Sequence, residues 1–230
     1  MERKRLIFHI DVNSAFLSWE SVYRLSQDQS AQDLRLIPSA VGGDVSSRHG
    51  IILAKSTPAK KYGIVTAETI GSALRKCPDL LIVPSRFDIY SAYSGKMLAL
   101  LSEYTPDIEK FSIDEAFLDM TETIHLFGSP KRTADQIRAR IRDELGFTVN
   151  IGIAPNKLLA KMASDFEKPD KTHTLFPEEI PEKMWPLPLR DLFFVGRSAA
   201  DKMARIGLRT IGDAAACNLA VLKAHLGEKY

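Results

Sequence analysis

Cysteine is almost missing from this 230-residue chain: Cys77 and Cys217 stand far apart and in no metal-ligand spacing. A zinc site built on paired cysteines is therefore excluded, and a reducing cytoplasm is the natural compartment. No apolar run approaches the length that crosses a bilayer, which argues against a membrane protein. The apolar stretch behind the basic start Met1-Glu2-Arg3-Lys4-Arg5 is too short for a signal peptide, and Asp11 interrupts it. Nor is there a strong charge of one sign. The formal net charge is +2, whereas a nucleic-acid binder usually carries a marked basic excess, so composition alone does not point to DNA. Internal repeats and low-complexity tracts are absent too. What is present is 45% hydrophobic and 26% charged residues, the profile of a soluble globular chain with enough length for one large core or a few small ones.

The pattern along the chain predicts an α+β fold. Residues 6–12 read as a short buried strand ending in a carboxylate. Residues 14–25 read as a helix capped by Ser14, with Phe16, Trp19, Val22 and Tyr23 as its apolar stripe. Residues 27–33 are polar and loop-like. From 39 to 76, Gly42-Gly43 and His49-Gly50 punctuate short strands, with 51–54 the clearest. Short helices are expected over 57–62, with Pro58 in the first turn, and over 69–76. Residues 82–83 add another strand, and the whole segment looks like a small α+β insertion. Residues 85–104 then form a long amphipathic helix closed by Pro106, and 107–120 hold two short strands around a carboxylate-bearing turn. An arginine-rich helix over 130–145 ends at Gly146, followed by a strand over 147–153 and a helix over 156–166. Around the insertion the order is β-α-β-β-α-β, which is ferredoxin-like. Residues 168–188, rich in proline and charge, read as a linker. Residues 189–230 read as small helices broken at Gly196, Gly207 and Gly212. His49, His125 and His173 belong to no catalytic pattern and read as surface or loop residues.

The strongest chemical signal is Ser112-Ile113-Asp114-Glu115-Ala116-Phe117-Leu118-Asp119. Strands disfavour acidic residues, and adjacent carboxylates repel unless something neutralises them. A divalent cation is the simplest neutraliser. In a β-α-β-β-α-β sheet the first strand neighbours the middle hairpin, so Asp11 can converge on Asp114 and Glu115. Such a set of hard oxygen ligands suits magnesium, with positions left for water and substrate phosphates, and a pair of such ions serves in-line phosphoryl chemistry. The plainer alternative is an Asp-Glu pair that decorates a solvated turn.

At these residues the chain resembles the Y-family, or translesion, DNA polymerases, of the DNA polymerase IV and UmuC-like kind. The run His9-Ile10-Asp11-Val12-Asn13-Ser14-Ala15-Phe16, continuing to Glu20, is similar to their opening motif, and residues 112–119 to their second catalytic motif. Gly152-Ile153-Ala154-Pro155-Asn156-Lys157, continuing through Lys161 to Asp165 and followed by Lys168-Pro169, is similar to their motif after the last palm strand. The resemblance covers essentially the whole chain, in order. It implies a right-hand polymerase: a ferredoxin-like palm over 1–14 and 85–172, small inserted α+β fingers over 15–84, and a helical thumb over 173–230 with a helix-hairpin-helix element. The family's C-terminal little-finger domain is expected to be missing.

Residue roles follow from the same resemblance. Asp11, Asp114 and Glu115, with the Val12 carbonyl, hold two magnesium ions, for which manganese can substitute. Asn13, Ser14 and Ala15 offer backbone N–H groups to the triphosphate at a helix start. Phe16 matches the steric gate that rejects a ribose 2′-hydroxyl, although its spacing alone fits an ordinary core aromatic. Thr57 and Lys60 fall where many relatives carry a tyrosine and an arginine on the triphosphate, and lysine serves there as a point charge without arginine's fork. Lys60 and Lys61 equally suit a solvated helix face. Lys168 matches the palm lysine that reaches the triphosphate. Lys157 and Lys161, four residues apart, face either the primer–template backbone or solvent. Gly196 and Arg197 lie in the hairpin-like stretch 192–200, which can aim N–H groups at a DNA phosphate or simply pack its helices.

The expected activity is low-fidelity, template-directed DNA synthesis in damage tolerance and repair. Primer–template DNA and deoxynucleoside triphosphates are the expected partners of a monomer in the bacterial cytoplasm. A sliding clamp is expected to engage only through the missing C-terminal part. A catalytically silent DNA-repair scaffold is the rival reading, and three convergent carboxylates argue against it. A nucleotidyl cyclase shares the carboxylate logic but has no use for the fingers insertion or the thumb.

Overall fold

Alternation along β1 (Ile7–Val12) sets the architecture. Phe8, Ile10 and Val12 point into one core, while Ile7 belongs to a second core on the opposite face, which His9 and Asp11 share by period two. The computed structural model that displays this arrangement describes residues 5–43 and 50–227. The basic start at residues 1–4, His49 and the last residues of the chain lie outside them.

After β1 the chain turns sharply at Ser14 (φ 49°) into α1 (Ala15–Gln27). Ser14 stands at the predicted cap position, but its side chain makes no capping bond; its left-handed backbone, not its hydroxyl, starts the helix. Trp19 and Leu17 of α1 are fully buried in the main core, where each large apolar side chain contributes roughly 1.5–3 kcal/mol of burial. This helix packs on the main core, which also takes in Val41, Ala54 and Val83 of the insertion. The insertion itself has a three-stranded sheet of β2 (Ser39–Gly42), β3 (Ile52–Lys55) and β4 (Leu81–Pro84), in the order β3-β2-β4. Its helices α2 (Thr57–Lys60) and α3 (Ile70–Lys76) close a small core around Ile52, Ile64 and Ile70. Pro58 sits in the first turn of α2, and Ser56 caps that helix.

Helix α4 (Phe87–Leu101) leads to the hairpin of β5 (Ile108–Lys110) and β6 (Glu115–Asp119). Helix α5 (Pro130–Arg140), closing in a wider π-type turn to Gly146 (φ 80°), leads to β7 (Val149–Ala154) and α6 (Lys157–Ser164). The main sheet runs β5-β6-β1-β7-β8, and the β5, β6, β1 and β7 neighbours are antiparallel. That is the expected ferredoxin-like order. The fifth strand, β8 (Thr172–Thr174), pairs in parallel with β7 and lies where the sequence reads as a linker. Its residues, Thr-His-Thr, carry no apolar alternation, so pairing with β7 and burial of Leu175 hold it rather than local pattern. His173 is accordingly a half-buried strand residue, and His125 is exposed in a short turn after β6.

One glycine sets the distance between α6 and the sheet. A Cβ on Gly152 of β7 would stand 1.9 Å from the Ala160 carbonyl oxygen. Only hydrogen at that position allows α6 to press its Leu159, Ala160 and Ala163 against the second face.

The C-terminal part consists of α7 (Ile180–Lys183), α8 (Arg197–Arg205), α9 (Ile211–Ala216) and α10 (Leu219–Leu226). Gly207 (φ 88°) does break the chain between α8 and α9. Gly212 does not: it lies inside α9, where a Cβ would stand 3.0 Å from Trp185 Cβ, so close packing is its reason. Among the described residues no helix is long and apolar enough to cross a membrane.

Candidate active site

The register of β1 on β6 places Asp11 directly opposite Glu115. Like charges facing each other across strands are unfavourable, so their neutralisers matter. Two lysines supply them. Lys161 Nζ lies 3.1 Å from Asp11 Oδ2 and 2.9 Å from Glu115 Oε1. Lys168 Nζ lies 2.8 Å from the same Asp11 oxygen. Asp165, at the end of α6, faces both ammonium groups, at 3.5 Å from Lys161 and 2.8 Å from Lys168. Lys161 is only 7% exposed, which corrects the expectation of a solvent- or DNA-facing side chain. Lys157, one turn earlier, is exposed, pairs with Glu109 and sits over the Phe117 ring.

Behind the carboxylates stands His9, fully buried against Phe117. The Ser164 hydroxyl donates to the Lys161 carbonyl at 2.8 Å and stands 2.9 Å from His9 Nδ1. His9 Nε2 then points at Glu115 Oε2 from 3.5 Å. Burial alone would raise the Glu115 carboxyl, but the His9 imidazole and the Lys161 ammonium outweigh it and hold the group at about 2. Burial favours neutral Lys161, yet the charges of Asp11 and Glu115 hold its ammonium well above the ordinary lysine range. Lys168 is raised by the same balance of burial against Asp11.

Asp114 behaves differently. Its carbonyl accepts the Val12 N–H at 3.1 Å, which pins the hairpin to β1, and its Oδ1 accepts the Ser112 hydroxyl at 2.7 Å. Burial pushes its carboxyl up, and the nearby charges of Asp11 and Glu115 add to that against the Ser112 bond. The three carboxylates are therefore close enough to feel one another. Among the described residues no three acidic, histidine or cysteine side chains are gathered into a metal cage. The strand ends offer an open set of hard oxygens, with Asp11 and Glu115 turned onto Lys161. In type and openness this set fits a divalent ion that keeps water and substrate among its ligands.

Asp11 and Asp114 form one side of a cleft of about 410 Å³. Val12, Asn13, Ser14, Ala15 and Phe16 line its floor, Thr57 and Lys60 its far wall, and Lys168 its rim. Most of the residues singled out in the sequence thus meet in one place; Glu115 and Lys161 lie outside the lining. Asn13 is anchored by Thr148, whose carbonyl accepts its N–H at 3.0 Å, and its own carbonyl accepts the Ser18 hydroxyl at 2.7 Å. Phe16 is half-buried, stacked on Tyr90 with ring centroids 5.1 Å apart. Two basic lining residues escaped sequence reading, Arg35 and Lys55. Lys55 bonds to Thr66 Oγ1 at 3.0 Å, and burial with the neighbouring Lys60 charge lowers its ammonium below the ordinary range. The surplus of lysine around 55–61 was the available signal.

Gly196 and Arg197 stand apart from this cleft, in the C-terminal helices. Gly196 begins α8 without a side-chain cap, and the Arg197 side chain is 96% exposed. Just before them Phe194 takes a left-handed backbone (φ 69°) with its ring exposed, a conformation that suits glycine better.

Comparison with known proteins bears on this architecture. Residues 10–165 match the model of the impB/mucB/samB family, and residues 177–208 match that of the IMS family HHH motif. The chain belongs to the impB/mucB/samB family. It is 52% identical over 220 residues to a DNA polymerase IV of Clostridium acetobutylicum, covering 96% of this chain and 55% of that protein. It is 40% identical over 225 residues to DNA polymerase IV 1 of Bacillus subtilis, covering 98% of this chain and 52% of that one. The chain therefore spans about half the length of these relatives. Among solved structures, DinB from Sulfolobus solfataricus superposes with a TM-score of 0.82 at 26% identity, covering 97% of this chain and 64% of that one. An insertion ternary complex of Dbh DNA polymerase gives the same TM-score, identity and coverage. The fold is that of the Y-family polymerases, α+β with a right-hand arrangement and a helix-hairpin-helix element.

Proposed function

We propose that this chain is the catalytic part of a translesion DNA polymerase and adds deoxynucleoside triphosphates to a DNA primer under template direction. The observation that carries this reading is the meeting of opposed carboxylates on β1 and β6 with a cleft that has a helix start for its floor and lysines on its walls. The five-stranded sheet with its helices serves as palm, the insertion as fingers and the C-terminal helices as thumb.

Asp11, Asp114 and Glu115, with the Val12 carbonyl, are the residues to hold two magnesium ions, or manganese in their place. Bound there, the ions neutralise charge on the attacking primer oxygen and the leaving pyrophosphate. The protein does the rest. Free N–H groups at the uncapped start of α1, at Ala15 and Phe16, meet the triphosphate. Lys60 and Lys168 neutralise it from the wall and rim, and the Thr57 hydroxyl can donate a hydrogen bond to it. The Val12–Asp114 bond keeps the hairpin carboxylate in register with Asp11. Lys157 remains available to the primer–template backbone, and the N–H groups at Gly196 and Arg197 suit a DNA phosphate.

The deciding experiment is single-nucleotide primer extension at low salt with magnesium, varying only the templating base. Incorporation should follow that base. Turnover of nucleoside triphosphate without regard to template would instead assign the chain to another palm-type enzyme.

Phe16 is held flat by Tyr90 at the floor of the cleft, where a sugar would rest. Phe16→Val should raise ribonucleotide incorporation relative to deoxynucleotide by roughly 10- to 100-fold, the scale on which a pocket tells substrates apart by one small group. Unchanged sugar selectivity in a competition assay would remove Phe16 from that role.

At the hairpin, Phe194→Gly should relieve the left-handed backbone just before the N–H groups at the start of α8. DNA affinity at low salt should tighten about two- to fivefold, in keeping with the strength of helix-terminus contacts. Fluorescence anisotropy with a primer–template duplex measures it, and weaker binding would mean that the ring itself touches DNA.

A further inference from the structure

Lys161 is the most deeply buried cation of the site and has no contact with the cleft. It does not line the cleft, so it is not placed to meet a triphosphate as Lys168 is. Its ammonium instead bonds Asp11 and Glu115 from behind, at 3.1 and 2.9 Å, and faces Asp165 at 3.5 Å. The close approach of α6 permitted by Gly152 brings it there, and the Ser164 bonds to the Lys161 carbonyl and His9 fix the helix turn that carries it.

We propose that Lys161 is a resident counter-cation that competes with divalent metal for the oxygens of Asp11 and Glu115, and so sets the metal affinity of the site as a positioning residue. This inference rests on the metal reading of these carboxylates given above. The physical ground is simple. One ammonium stands within bonding distance of two proposed ligand groups. A second positive charge brought to them must share or displace those bonds and works against a fixed like charge a few ångströms away, an effect that is strong where water is scarce. Asp11 and Glu115 each turn an oxygen onto Lys161. Asp165 modulates the competition from outside. It shares Lys161 and Lys168 with Asp11, and its own carboxylate is largely exposed.

Two substitutions should move metal affinity in opposite directions. Lys161→Met removes the competing charge and should bind Mn2+ about tenfold more tightly. Asp165→Asn leaves both lysines to Asp11 and Glu115 alone and should bind Mn2+ a fewfold more weakly. The latter changes an exposed side chain, so it keeps the test decisive even if the buried methionine impairs folding. The measurement is Mn2+ binding to the protein alone, without DNA or nucleotide, by electron paramagnetic resonance of free Mn2+. Opposite shifts support the inference. Mn2+ binding of wild-type strength in Asp165→Asn, or in a folded Lys161→Met, overturns it and leaves Lys161 as a structural prop, with the metal reading intact. Failure of the wild-type protein to bind Mn2+ at all overturns both.

Discussion

Asp114→Ala should abolish the proposed primer extension, by on the order of 10³-fold or more, while leaving the protein folded. The size follows from the role. A carboxylate that would hold a divalent ion, and with it the charge stabilisation the ion would supply, would contribute several kcal/mol to the transition state. The folding argument comes from the site itself. Asp114 is a carboxyl that burial and two neighbouring negative charges work against, so its removal relieves repulsion rather than leaving a charge unpaired. What the hairpin needs from residue 114 is its carbonyl, which accepts the Val12 N–H, and alanine keeps that. Extension assays paired with a thermal melt check both halves. An unchanged or raised melting temperature with no extension fits the assignment; retained extension removes Asp114 from the metal set. Asp11→Ala should not behave so cleanly, because Lys161 and Lys168 both lean on that carboxylate and would lose their partner.

Gly152→Ala should be the most damaging single methyl group in the chain. The added carbon would meet the Ala160 carbonyl at 1.9 Å and the Ser164 nitrogen at 2.5 Å, both of them backbone atoms of α6 that cannot rotate away. The helix must withdraw. Withdrawal loosens the second core around Leu159, Ala160 and Ala163, stretches the Asn150 bond to the Ser164 carbonyl and lifts Lys161 from its carboxylates. A cost of about 3 kcal/mol or more is expected, the upper range for overpacking, with a fall in melting temperature of roughly 6–12 °C for a chain of this size. Gly95→Ala is the control. It lies in α4 with nothing within 4 Å of the new carbon, so it should leave stability unchanged or raise it by about 0.5–1 kcal/mol. Equal melting of the two variants would show that α6 can shift freely.

The site was legible in the sequence to the extent that period-two alternation and short-range pairing determine it. β1, β6 and β7 were legible as short apolar runs, and their antiparallel order follows from ferredoxin-like topology, so the convergence of Asp11 on Asp114 and Glu115 could be expected. Lys161 could not be placed in the same way. With Lys157 four residues earlier, both appear to share one polar face, and nothing local says that the sheet beneath carries carboxylates able to accept a lysine from within. Lys157 reaches Glu109 of β5 and the Phe117 ring, while Lys161 reaches Asp11 and Glu115. Ser14 misled in the opposite sense, since serine before a helix usually caps with its hydroxyl and here turns the backbone. Gly212 resembled a helix break because glycine often is one; its actual reason is the nearness of Trp185, which sequence does not encode locally. β8 is held by its pairing with β7 and by burial of Leu175, and left no mark in its own residues.

The two margins of the five-stranded sheet have a colloidal consequence. β5 and β8 are each three residues long. Glu109 and Lys110 charge the first margin, and Thr172, His173 and Thr174 make the second polar. Neither is long or apolar enough to template a foreign strand, and unguarded edges are where sheets recruit one another. The buried β1, β6 and β7 would be hazardous as edges, yet each is flanked on both sides. A chain that keeps its carboxylate-bearing cleft open to solvent thus remains guarded against strand-by-strand self-association along the sheet that carries it.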